Sequence, residues 1–159
     1  MPDAVENLLD RAFGTDRQGR TAYRLRPLAR PIAPLSFAAF DSASTLVGSL
    51  QSWPIGLESG DGTRAPLVLV GPVAVAPGLQ GRGVGVAMMR ALLAAADSGA
   101  IPAADAMTMI GDPEYYGRFG FTADATAGWR LPGPWEPRRL LARITRPAGL
   151  PDTGSLAPA

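Results

Sequence analysis

From residue 4 to residue 13 the apolar positions Val5, Leu8, Leu9, Ala12 and Phe13 recur at the spacing of one helix face, with Asp3 placed to cap the start and Gly14 to stop the end. The period then changes. Residues 35–40 and 45–53 are short apolar runs joined by Asp41-Ser42-Ala43-Ser44, the pattern of two strands and a hairpin turn. Residues 56–66 are polar and read as a loop, and 67–75 form an apolar strand interrupted by Gly71-Pro72. Proline cannot donate to a sheet ladder, so this pair predicts an edge or a bulge inside that strand.

Helical spacing returns at residues 83–97, where Val84, Met88, Ala91, Leu92 and Ala95 share a face that reads as core packing, and Gly99 follows as a stop. Residues 106–110 then predict a strand, 113–119 a short helix with Pro113 at its first position, 121 onward a strand, and 139–145 a final alternating strand. Strand, helix, strand, helix, strand over the second half predicts an α/β fold, a partly parallel mixed sheet flanked by helices. Residues 147–159 lack aromatic residues and periodicity and read as a loose tail, which leaves 1–146 as a single domain without internal repeats.

Composition narrows the chemistry more by what is missing than by what is present. A chain of 159 residues, 47% hydrophobic and 18% charged, is long enough for one sizeable core. Its net charge of +1 gives no electrostatic footprint for nucleic acid or a membrane surface, although all 15 basic residues are Arg. No stretch approaches the ~20 apolar residues of a membrane span, and no leader-like segment precedes Asp3, so a cytoplasmic protein is expected. The chain has no His, Cys or Lys. A Ser-His-Asp triad, a thiol nucleophile, a thiolate zinc site and Schiff-base chemistry are therefore excluded. Any catalysis must rest on carboxylates, Tyr, Ser, Thr, Arg, backbone dipoles and water, and no metal is expected.

The most informative segment is 73–89, where an apolar strand leads through a short turn and three alternating glycines, Gly81, Gly83 and Gly85, straight into a helix. A loop that bares N–H groups at the positive end of a helix suits a pyrophosphate-like anion and points to a nucleotide-bearing cofactor. Spacing separates the readings. A dinucleotide fingerprint needs Gly or Ala at the sixth position, which is Val86 counted from Gly81 and Met88 counted from Gly83. A phosphate loop of the NTPase kind needs Lys followed by Ser or Thr, and the chain has no Lys.

What remains, Gln80-Gly81-Arg82-Gly83-Val84-Gly85, resembles the Q/R-x-x-G-x-G/A signature of the GNAT superfamily of N-acetyltransferases. The downstream stretch Asp112-Pro113-Glu114-Tyr115-Tyr116-Gly117-Arg118-Phe119-Gly120-Phe121 resembles the Y-x-x-x-G-F end of the same superfamily, in the form found in its bacterial predicted-acetyltransferase branch. The resemblance covers residues 5–145 and is strongest at 67–121. It implies a GNAT fold that binds acetyl-CoA as co-substrate. The backbone of Val73, Ala74 and Val75 would pair with the pantetheine amides, and N–H groups from Gly81 through Val84 to Val86 would meet the pyrophosphate. Gln80 would pin the loop, and Arg82 is a candidate for a direct salt link. Tyr116, four residues before Gly120, would be the general acid that protonates the departing thiolate. Tyr115 beside it reads as core, and Asp112 as a helix cap or a contact to the pantetheine.

The implied reaction moves an acetyl or longer acyl group to a primary amine, on a small molecule or a peptide, by direct attack in a ternary complex. No nucleic acid or membrane partner is expected. Two other readings stay open: a GNAT-like domain that binds acyl-CoA without turnover, and a nucleotide-binding module unrelated to CoA. No general base stands out; Glu58 and Asp61, ahead of the central strand, are candidates, and Trp53, Trp129 and Trp135 are candidates to line an acceptor pocket. The chain departs from the superfamily in one respect. A strand usually precedes the first helix, whereas here the helix begins almost at Met1, so that strand is expected to be missing or replaced, and homodimerisation is one expectation that follows.

Overall fold

Among the residues described by the computed structural model, 2–13, 24–25, 29–146 and 150–159, seven strands build one mixed sheet. They are β1 (Phe37–Phe40), β2 (Leu46–Glu58), β3 (Arg64–Val75), β4 (Ala106–Ile110), β5 (Gly128–Arg130), β6 (Leu140–Ile144) and β7 (Thr153–Pro158). Their order is β5-β7-β2-β3-β4-β6, with β1 also on β2. The β3–β4 and β5–β7 pairs are parallel and the others antiparallel. The helices are α1 (Pro2–Phe13), α2 (Val84–Asp97) and the single turn α3 (Pro113–Tyr116).

The apolar run of β3 is explained by burial on both faces. Val68 and Val70 join the cluster built on Met88, Met89 and Leu92 of α2, together with Phe119 and Phe121. Leu67 and Leu69, which alternate with them, join Trp53, Ile55, Leu57, Trp129 and Leu156 on the other side. A third cluster seats Leu8 and Leu9 of α1 on Leu46, Val47 and Ala74. The amphipathic stripe of residues 4–13 thus folds as expected, but Asp3 lies inside the helix, which already begins at Pro2. Gly14, the expected stop, lies outside the described residues.

Three expectations are corrected. Residues 56–66 are not a loop: β2 runs to Glu58 and β3 starts at Arg64, because Leu57 is wholly buried and Glu58 pairs with Arg64 across the hairpin. No strand begins at Phe121; a lone bridge joins Thr122 to Ala142 and β5 comes later, since Phe121 turns its side chain into the α2 core. The tail expected at 147–159 contains β7, which pairs with both β2 and β5 and buries Leu156; residues 147–149 lie outside the described residues. One buried residue in six gives no visible period, and only a neighbouring edge makes such a segment a strand. The strand at 139–145 is present as β6 but is not the last.

Among the described residues no strand precedes α1. Opposite β3, the long β2 is covered in consecutive pieces, by β1 at Leu46–Leu50 and by β7 at Ile55–Glu58. Between them the main chain of Ser52 accepts from the Ile32 N–H at 2.7 Å and donates to the Ser36 hydroxyl at 3.2 Å. Pro54, two residues on and so facing the same edge, has no N–H to satisfy.

Candidate active site

The cleft begins where two parallel strands stop pairing. β3 and β4 are in register at Val68–Met107 and Leu69–Thr108 and no further, although β3 continues for six residues. The cause lies on the other edge of β3. Leu50 faces Val73 and Ser52 faces Val70, so Gly71 and Pro72 together oppose Gln51 alone. This is the bulge that the Gly-Pro pair predicts. Gly71 takes φ 135°, open to glycine, and its carbonyl accepts from Trp53 Nε1 at 2.7 Å. Beyond the bulge β3 leaves β4, and its far half becomes one wall of a cleft of about 1380 Å³.

The glycine loop lies at one end of that cleft. Gly81 and Gly83 both have φ above 80°, and nothing stands within 4 Å of where their Cβ atoms would be. Gly83 occupies the N-cap of α2 without any side-chain cap, and the helical ladder opens with the Ala87 N–H donating to the Gly83 carbonyl. The preceding N–H groups of the first turn therefore face outward with the positive end of the helix dipole. Gln80 donates from Nε2 to the Val75 carbonyl at 3.4 Å, tying the loop to the end of β3.

The opposite wall is the end of β4 and α3. Asp112 caps α3 by accepting from the Glu114 N–H at 3.0 Å. Hydrogen bonding with Glu114, through its side chain first and this main-chain N–H second, holds the Asp112 carboxyl below the usual carboxylate range, with Arg138 and Arg139 adding to it. Tyr116 lines the cleft half-buried, and burial pushes its phenol up to about 12, with Tyr115 and Asp112 adding to the shift and Arg139 opposing it. Its proton is held throughout the neutral range. Tyr115 meets Tyr116 edge-on at 4.8 Å between ring centres, under the Arg118 guanidinium. Tyr115 is not simply core: it lines the cleft and its hydroxyl stands beside Gly85.

Of the residues singled out in the sequence, Val73, Val75, Gln80, Gly81, Gly83, Gly85, Val86, Asp112 and Tyr116 all line this cleft. Ala74 turns its side chain under α1, Val84 packs toward Gly48, and Arg82 is exposed at the loop tip. Glu58 and Asp61 are elsewhere. Glu58 is paired with Arg64 at 2.8 Å, and Asp61 accepts from Thr63 in the turn of the β2–β3 hairpin, which lowers its pKa. Trp53 and Trp129 are buried in the core, and only Trp135 of the three reaches the cleft. Glu136 and Arg139 also line it, carried by a 3₁₀ turn at Pro137–Arg139 for which the sequence offers no periodic signal.

The family model described as an acetyltransferase (GNAT) domain matches residues 2–123. No curated protein sequence matches the chain. Among solved structures, the GNAT family N-acetyltransferase YhbS from Escherichia coli, in complex with CoA, superposes with a TM-score of 0.69 at 22% identity, covering 99% of this chain and 83% of that one. A GNAT family acetyltransferase from Brucella melitensis, in complex with acetyl-CoA, gives 0.64 at 23% identity, covering 99% and 90%. The mixed sheet and its flanking helices are the fold that these proteins share.

Proposed function

We propose, because the chain belongs to the GNAT acetyltransferase family, that it transfers an acetyl or related acyl group from acyl-CoA to a primary amine in the cleft between β3 and β4. One observation carries this reading: the half of β3 that no longer pairs with β4, the uncapped N-terminus of α2 and the protonated Tyr116 all border the same cleft. The residues fit the donor. An extended pantetheine arm needs a free strand edge, a pyrophosphate needs close backbone N–H groups without side chains in the way, and both are present.

Acetyl-CoA supplies an acyl group already activated as a thioester. The main chain of Val73 to Val75 lines up the arm, and the N–H groups from Gly81 to Val86 hold the diphosphate, with Gln80 fixing their loop. A neutral amine nitrogen then bonds to the acyl carbon as the carbon–sulfur bond breaks. Tyr116 gives its phenolic proton to the leaving sulfur and is refilled from water, while the nitrogen sheds one proton to water. Burial raises the Tyr116 pKa, which opposes loss of its proton, and the same burial disfavours a bare thiolate beside it, which favours uptake of one, so the two effects offset in this proton transfer. No covalent intermediate on the protein is needed, which suits a chain without His, Cys or Lys.

The test is calorimetric titration with acetyl-CoA, with NAD and ATP as controls, followed by thiol-release assays with primary amines. Saturable binding of acetyl-CoA alone and amine-dependent CoA release are expected. Binding without release would leave a non-catalytic acyl-CoA domain, and a folded protein that ignores acetyl-CoA would overturn the reading.

A further inference from the structure

If acyl transfer takes place in this cleft, the cleft also carries information about the acceptor. Two carboxylates line it among the described residues, Asp112 and Glu136. Asp112 is committed to capping α3. Glu136 is not committed to anything. It occupies the N-cap of the Pro137–Arg139 turn but makes no side-chain cap bond. The two arginines that follow it have other partners: Arg138 pairs with Glu114 at 2.6 Å, and Arg139, which also lines the cleft, donates from Nε to the Gly111 carbonyl at 3.3 Å. The other cationic side chains of the cleft are likewise engaged, Arg24 with the Pro132 carbonyl at 3.1 Å and Arg118 with the Tyr115 carbonyl and ring.

The backbone nevertheless holds Glu136 firmly. Arg139 N–H donates to the Glu136 carbonyl, and Gly111 N–H donates to the Arg139 carbonyl, each at 2.9 Å. Gly111 is the residue against which the Tyr116 ring packs. The main chain of Glu136 is thus fixed to the same wall as the proton donor, and its exposed side chain lines the cleft together with the half-buried indole of Trp135. A carboxylate without a partner, in a cleft that also presents an aromatic ring, can receive a cation.

We infer that Glu136, with Trp135, selects acceptors that carry a second cationic group besides the reacting amine, as a diamine or a guanidino-amine does. This rests on the acyl-transfer reading. The cation is held at Glu136 while the free amine reaches toward the thioester near Tyr116.

Cadaverine and agmatine, each with a second cation, would be compared with pentylamine, which has the same reacting group and a neutral tail, using wild type, Glu136→Gln and Glu136→Asp. Wild type should favour the two cationic acceptors in kcat/KM. Glu136→Gln should lower kcat/KM for them about ten- to hundred-fold, the worth of one charge-assisted hydrogen bond, with pentylamine turnover and acetyl-CoA affinity unchanged. Glu136→Asp should keep part of the preference. Equal kcat/KM for all three amines in wild type, a preference that survives Glu136→Gln, or acetyl-CoA binding without release by any of them would overturn the inference. Failure of wild type to bind acetyl-CoA would instead bring down the acyl-transfer reading beneath it.

Discussion

The ring of Tyr116 lies so close to the Cα of Gly111 that a Cβ on the glycine would stand 2.7 Å from Cε2 and 2.8 Å from Cδ2. Gly111 also joins β4 to the turn that follows Trp135, through hydrogen bonds in both directions with Arg139. A methyl group at this position must push the ring outward, because the backbone on either side is tied. Gly111→Ala is expected to lower kcat by about ten-fold or more, since small misplacements of a reacting group are costly. Acetyl-CoA affinity, measured by calorimetry, should change little. Normal turnover would mean that the ring's seat on the glycine has no part in catalysis.

Removing the phenol itself should be more severe. Tyr116→Phe is expected to reduce kcat by about 10²- to 10⁴-fold with nearly constant acetyl-CoA Kd, and loss of both together would sink the proton-donor role.

The same variant isolates a pH effect. The folded pKa of Tyr116, about 12, lies above the ordinary phenol value of about 10, so the fold favours the protonated form. The resulting stability is fully present below the unfolded pKa and is lost as pH rises toward the folded one. In urea titrations at rising pH, wild type should lose stability relative to Tyr116→Phe between about pH 10 and 12, and a constant difference would show that burial does not hold the proton.

Gly83 tests the loop. Its φ of 87° lies in the left-handed region and open space surrounds the missing side chain, so Gly83→Ala costs backbone strain and no clash, about 1–2 kcal/mol. Chemical denaturation should show that loss, and acetyl-CoA affinity should fall with it as the N–H groups lose their alignment. Full affinity would take the donor phosphates away from this loop.

Leu156 tests the sheet. It is the buried residue of β7, packed with Leu57 and Trp129, and Leu156→Ala should cost about 2–5 kcal/mol by urea denaturation. A loss near zero would return the segment to the loose tail that its composition suggests.

Legibility in the sequence followed the reach of the interactions involved. α2, β4 and the Asp112 cap could be read because their signals are local: a 3.6-residue period, an apolar run, a carboxylate two residues before a free N–H. The break in β3 was legible because Gly71-Pro72 inside an apolar run admits only an edge or a bulge, and the register with β2 makes it a bulge. β7 was hidden because its edge is supplied by β2, about a hundred residues away in sequence. Glu136 and Arg139 were hidden for a related reason, since only the Gly111–Arg139 hydrogen bonds bring their turn to the cleft. Glu58 and Asp61 looked equally available in the sequence, and the ion pair with Arg64 and the turn with Thr63 use them up. Tyr115 was underrated because on a single helical turn two adjacent residues can both face one cavity.

The outer side of β2 has a consequence for how copies of this chain behave in a crowded solution. An open strand edge is a template on which another polypeptide can crystallise, and sheets left with one tend toward fibres and precipitates. Here the chain tiles its longest strand with two short ones, plugs the interval with a serine hydroxyl and one amide, and sets a proline where a donor would otherwise dangle. Strand addition is denied to β2 itself, and the edge passed outward is cut down to the four residues of β1 and the three of β5, so the shielding of the longest strand depends on β7 as much as on β1.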